Sequence, residues 1–187
     1  MRRACEEAVK WPDNVSVAVN LSPVQFRRLD LCQTVSDVLR SSGLTARRLG
    51  LEITESVLLR NQETTLETLH QLRALGVRLA MDDFGTGHSS LSYLRNFPFD
   101  KIKIDRVFVR GLSSKKDSRA IIRAIAQLAS SLGMETTGEG VETKGELDFL
   151  KRVGCTEAQG FFFSKAVPAK EVYALLRRQR TRSTSVA

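Results

Sequence analysis

Asp82 and Asp83 stand side by side in the stretch MDDFGTGHSS, residues 81–90. They follow a run, 77–81, that is apolar apart from Arg78 and reads as a buried strand. Adjacent carboxylates repel each other unless positive charge lies between or beside them. Other strand-like runs carry polar residues at the same end. Asn20 follows 15–19, and Glu52 lies within 49–53. Lys103 and Asp105 alternate through 101–105, Glu139 and Glu142 follow 134–137, and Gln159 closes 155–159. A charged group in or just after a buried strand is costly unless it is paired or binds a metal. Asn20, Glu52, Asp82, Asp83 and Glu139 offer oxygen, Lys103 offers an ammonium, and no His or Cys is among them. Such a donor set suits Mg2+ or Mn2+. Two ions held around Asp82 and Asp83 could activate a water and stabilise an in-line displacement at phosphorus. In that chemistry Lys103 orients the water or neutralises developing charge. Glu139 ligates a metal or acts as general base. Metal-dependent phosphoester hydrolysis is the reaction these residue types suggest. A carboxylate cluster around one Mg2+, for lyase or enolase-type chemistry, would look similar.

Two competing motifs are weak. Asp83-Phe84-Gly85 matches a kinase metal motif, but no glycine-rich loop or catalytic-loop signature accompanies it. The segment Gly85-Thr86-Gly87-His88 lacks the third glycine of a dinucleotide fingerprint. His88 reads as a loop residue.

The elements that must position these groups alternate. Strands are expected at 15–19, 49–53, 77–81, 101–104, 134–137 and 155–159. Helices are expected at 1–10, 23–26, 30–39, 63–75, 89–96, 118–132, 143–153 and 168–178. The first helix opens without a capping residue and reads as starting inside a helix. Alternation of this kind predicts a parallel sheet covered by helices. Periodicity alone allows a doubly wound sheet or a (β/α) barrel. Polar residues at the same end of six strands favour the barrel, whose strand ends converge on one mouth.

Composition narrows the setting. Of 187 residues, 42% are hydrophobic and 27% charged, as in an ordinary globular domain. No apolar run approaches a membrane span, and the first residues do not form a signal peptide, so a cytoplasmic location is expected. Cys5, Cys32 and Cys155 are far apart and read as reduced thiols. The net charge of +8 is diffuse or concentrated near the C-terminus, and reads as solvated basic surface rather than a site for specific nucleic acid. Residues 179–187 read as a basic, disordered tail after a domain at 1–178.

Taken together, Asn20-Leu21-Ser22-Pro23, Leu51-Glu52-Ile53-Thr54-Glu55-Ser56, Asp82-Asp83-Phe84-Gly85-Thr86-Gly87, Lys101-Ile102-Lys103-Ile104-Asp105, Gly138-Glu139-Gly140-Val141-Glu142-Thr143 and Ala158-Gln159-Gly160 resemble the EAL-domain family. These are bacterial cyclic di-GMP phosphodiesterases on a modified TIM (β/α) barrel. The resemblance implies that Asn20, Glu52, Asp82, Asp83 and Glu139 ligate two Mg2+ or Mn2+ ions. It makes Lys103 the water-orienting lysine and Glu139 a ligand or base. It places Asp105, Glu142 and Gln159 at further site positions. Phe84, Gly85, Thr86 and Gly87 become part of a loop that shapes the site and meets a homodimer interface, with Glu55 as its anchor. The implied reaction opens cyclic di-GMP to linear pGpG. The Glu-Ala-Leu signature is absent. The resemblance therefore implies an incomplete barrel of about six of eight β/α units, its first two strands missing, and with them a metal-ligand glutamate and a phosphate-binding arginine. A sensory or diguanylate cyclase domain upstream would fit the family. A catalytically inactive cyclic di-GMP sensor or a protein-interaction module is the alternative.

Overall fold

The computed structural model describes residues 1–58, 62–85, 91–113 and 116–184. Its strands are β1 (Val17–Leu21), β2 (Leu49–Thr54), β3 (Arg78–Phe84), β4 (Lys101–Ile104), β5 (Glu135–Gly138) and β6 (Glu157–Ala158). They pair in parallel and in chain order. A doubly wound sheet would reverse that order at a switch point. The order here is that of a (β/α) barrel, and β1 and β6 stand at opposite ends of one sheet. Six β/α units thus form an incomplete barrel.

The helices are α1 (Arg2–Ala8), α2 (Pro23–Phe26), α3 (Leu31–Ser42), α4 (Glu55–Leu58), α5 (Gln62–Ala74), α6 (Leu91–Asn96), α7 (Arg106–Arg110), α8 (Lys116–Ser131), α9 (Lys144–Arg152) and α10 (Ala169–Thr184). Local chemistry sets several ends. Ser22 and Gln25 form a capping box with Pro23 in the first turn of α2, and Thr143 and Glu146 form another on α9. Gly43 closes α3 at φ +74°, a conformation costly for other residues. Among the described residues, no helix is long and apolar enough to cross a membrane.

Several boundaries differ from the sequence expectation. β1 lies two residues later, so Asn20 is inside the strand rather than after it. β3 runs through Asp82 and Asp83 to Phe84. The short helices α4 and α7 have too few turns to show a period. α10 continues to Thr184, so residues 179–184 are helical where a tail was expected, and 185–187 lie outside the described residues.

The two faces of the sheet differ. Leu49, Leu51, Ile53, Leu79, Ile102 and Ile104 are fully buried and belong to the apolar core shared with the helices. The alternate positions line a concave face with a cavity of about 150 Å3, whose walls include Ala18, Gly50 and Ala80 as well as charged groups. At its lower end, Arg78 contacts both Glu135 oxygens at 3.2 Å. Lys101 bridges Glu135 (3.3 Å) and Glu157 (2.5 Å), and Thr137 Oγ1 donates to Glu157 (2.9 Å). Burial pushes the Glu157 carboxyl up, but the bonds from Lys101 and Thr137 and the nearby Arg78 outweigh it and hold it below its ordinary value.

One buried cation fastens α1 to the sheet. Arg48, 6% exposed, donates to the carbonyls of Ala8 (2.7 Å), Trp11 (3.2 Å), Pro12 (3.2 Å) and Val15 (2.8 Å). Its contact with Asp13 (3.3 Å) reaches a side chain in solvent.

Arg48→Met leaves those carbonyls without their donor and is expected to cost about 2–4 kcal/mol in urea unfolding, while Asp13→Ala costs less than about 0.5. Equal losses would show that the exposed ion pair, not the carbonyl cluster, carries the effect. Because the folded state depresses Glu157, its stabilisation is present at neutral pH and is lost as pH falls through and below the ordinary glutamate value of 4.5. Glu157→Gln should therefore lose about 0.5–1 kcal/mol at pH 7, solvent screening included. Thermal melts should show that gap closing toward pH 3; a gap that persists there contradicts the assignment.

Candidate active site

The strand ends converge as barrel geometry requires. Asn20 and Glu52 are direct partners across β1 and β2, and Thr54 on β2 pairs with Asp82 on β3. Lys103 pairs with Thr137 across β4 and β5, and Glu139 follows β5 directly. Lys103 sits at the centre. Its Nζ is 2.6 Å from Glu52 Oε2, 3.0 Å from Asp82 Oδ1 and 2.7 Å from Glu139 Oε1.

A bulge solves the problem set by the adjacent aspartates. In a regular strand, neighbouring side chains point to opposite faces. Here Met81 pairs with Ile102 and Phe84 with Ile104, so β3 carries one extra residue against β4. Asp83 takes that residue up at φ +56°, a strained conformation for a non-glycine. As a result Asp82, Asp83 and Glu139 each offer an oxygen within 4.8 Å of the others. The Asp83 amide donates to Asp82 Oδ1 at 3.1 Å. Phe84 returns to the core, 4% exposed. Gly85 follows at φ +93°, and a Cβ there would sit 3.1 Å from the Phe108 ring.

The electrostatics follow from burial and crowding. Burial alone would lower the Lys103 pKa, but the bonds to Glu139 and Glu52 and their charges outweigh it and hold the ammonium well above its ordinary range. Burial raises Glu139, and the Asp82 and Glu52 charges add to this against the pull of Lys103. Burial also raises Asp83, reinforced by the Asp82 charge and by a hydrogen-bonded neighbour, Asp105. The end of the Asn20 amide lies 3.2 Å from Glu52 Oε2 and 3.1 Å from Asp82 Oδ2. Turned one way, its NH2 donates to both. Turned the other way, three oxygens converge, as ligands of a hard cation do.

The remaining expected residues are placed less uniformly. Asp105 joins Asp83 and also caps α7, accepting from the Val107 amide at 2.7 Å. Gln159 lines the concave cavity with Glu52 and Lys103, and its backbone ties β6 to Gly138. Glu142 pairs with Arg110 of α7 at 2.5 Å. Glu55 is buried at the start of α4. Thr86, Gly87 and His88 lie outside the described residues. Sequence reasoning missed the ring of Arg78, Lys101, Glu135 and Glu157. Period-two spacing could have found part of it: Lys101 precedes Lys103 by two, and Glu157 precedes Gln159 by two.

Comparison with known proteins agrees with this layout. A family model described as the EAL domain matches residues 1–166. An uncharacterised protein of Sinorhizobium fredii is 57% identical over 177 residues, which is 95% of this chain and 21% of that protein. MucR of Pseudomonas aeruginosa, a bifunctional diguanylate cyclase/cyclic di-GMP phosphodiesterase, is 40% identical over 175 residues, 91% of this chain and 26% of MucR. A structure of the MucR phosphodiesterase in complex with c-di-GMP superposes with a TM-score of 0.87 at 39% identity, covering 91% of this chain and 71% of that one. The EAL domain of Mycobacterium smegmatis DcpA gives 0.89 at 41% identity, covering 95% and 82%. A manganese/cy-diGMP complex of Klebsiella pneumoniae BlrP1 gives 0.80 at 34%, covering 88% and 42%. The chain spans about a fifth to a quarter of the length of these curated relatives. With its fold, strand-end residues and family match in agreement, the chain belongs to the EAL-domain family.

Proposed function

We propose that this chain supplies the ion-binding and water-orienting wall of a cyclic di-GMP phosphodiesterase that opens the ring to linear pGpG. The observation that carries this reading is the double use of Asp82. Its Oδ2 joins Asn20 and Glu52 in one oxygen group, and the same residue joins Asp83 and Glu139 in a second. Two Mg2+ or Mn2+ ions fit that arrangement, because every donor is a hard oxygen and the carboxylates outnumber the one central ammonium. Such ions, when bound, supply Lewis acidity toward a phosphate oxygen and make a coordinated water more acidic.

The net reaction adds water across one phosphodiester. The water oxygen bonds to phosphorus, the P–O3′ bond opens, and the departing oxygen takes a proton. Glu139, beside Lys103 at the mouth, is the carboxylate placed to take the proton that water releases. Lys103, 2.7 Å from Glu139 Oε1, orients the water and donates toward negative charge developing on the phosphate. Asp105 positions Asp83, and Gln159 faces substrate from the far wall. Glu142, held by Arg110, shapes the rim. MucR and BlrP1, as complexes with the cyclic dinucleotide, support the substrate, and the manganese in BlrP1 supports the metal. A homodimer through the loop after Asp83 and an upstream signalling domain belong to the same reading.

The alternative is a sensor that binds cyclic di-GMP at the same oxygen groups without turning it over. Turnover decides between them. The longest protein containing these residues is incubated with cyclic di-GMP and Mn2+, and pGpG is measured. The phosphodiesterase reading expects product, with Asp82→Asn and Glu52→Gln each lowering the rate about 100-fold or more, since ligands matter more than their supports. Binding without product leaves the sensor, and no binding leaves only an interaction module. Near-wild-type turnover in either variant contradicts the ligand assignment.

A further inference from the structure

We propose that Lys103 is a built-in stand-in for the metal: in the metal-free protein its ammonium holds the site's carboxylates together, and it competes with divalent ions for them. The inference rests on the two-ion reading above.

The geometry supports both halves. An ammonium has three hydrogens to donate, and Lys103 meets three carboxylates at 2.6, 3.0 and 2.7 Å. Its side chain is 6% exposed and those of its partners 11–18%, so water screens these contacts poorly. The partners come from β2, β3 and the turn after β5, so one cation ties three separate chain segments at the mouth. Without it, the mutual repulsion of Glu52, Asp82 and Glu139 would lose its central counter-charge.

The same atoms explain the competition. Glu52 Oε2, which Lys103 grips most closely, also lies 3.2 Å from the Asn20 amide. It therefore belongs to the first proposed ion group. Asp82 gives Oδ1 to Lys103 and turns Oδ2 toward Asn20. Glu139, the third partner, belongs to the second group. Each ion group thus shares residues with the ammonium. A protonated lysine has no lone pair to offer a metal, so it contributes no ligand. It contributes only a like charge beside the ions and a claim on their oxygens. Lys103 then keeps the empty site assembled at some expense of ion affinity.

Lys103→Met removes the charge while keeping an unbranched side chain of similar length. Mn2+ binding is measured by titration calorimetry, and thermal melts are recorded with and without Mn2+. The expected result has two parts: the metal-free variant melts below wild type, and it binds Mn2+ at least about tenfold tighter. Mn2+ should also raise its melting temperature by more than it raises that of wild type. Lys103→Gln, smaller and still polar, provides the same comparison if the Met variant folds only with metal, an outcome that itself supports the holding role. Equal or weaker Mn2+ binding by both variants overturns the competition, and unchanged metal-free melting overturns the holding role. A wild type that takes up no Mn2+ defeats the two-ion reading, and the competition with it, while the metal-free melts still judge the holding role.

Discussion

Carboxylates crowded into one pocket repel, and this sheet is arranged around that repulsion. Glu52, Asp82, Asp83 and Glu139 come from the ends of three strands and meet around Lys103. A single buried ammonium makes the cluster tolerable, and it does so across 51 residues of sequence in the case of Glu52. Its charge covers only part of theirs. The remainder shows as raised proton affinity at Asp83 and Glu139, where burial and neighbouring like charge both act against the carboxylate. A site that is short of positive charge when empty is a site suited to cations.

The rest of the fold serves this cluster. The apolar face of the sheet packs on the helices and leaves the concave face free for charge, an unusual allocation for parallel strands, which are commonly apolar on both faces. The ring of Arg78, Glu135, Lys101 and Glu157 neutralises the lower end of that face by pairing within itself. The upper end is not neutralised in this way. Arg48 secures α1 and the entry to β1, and thereby the strand that brings Asn20 to the mouth.

Much of this was legible in the sequence, for a physical reason. A charge at the end of a buried strand is expensive, so Glu52, Asp82, Lys103 and Glu139 stood out without any alignment. The order of strands and helices was legible because most elements are long enough to show a period. Other features leave no such trace. Nothing in the letters Asp82-Asp83 says that β3 takes an extra residue there and turns both carboxylates inward. Arg48 was invisible because its partners are main-chain carbonyls, which every residue has. Glu142 was visible by position, but its partner Arg110 was not, because that residue sits on a helix too short to foresee. Asn20 was placed after its strand and lies within it, a shift that gives it Glu52 as a direct strand partner and leaves it at the same end of the sheet.

The central claim is spatial: the cluster holds two ions that share Asp82. Anomalous scattering from manganese in crystals of the protein grown with Mn2+ tests it most directly, because it locates the metal without reference to activity. The account predicts two peaks at the strand ends, one among Asn20, Glu52 and Asp82 and the other among Asp82, Asp83 and Glu139. A single peak, or manganese away from Asp82, would contradict it.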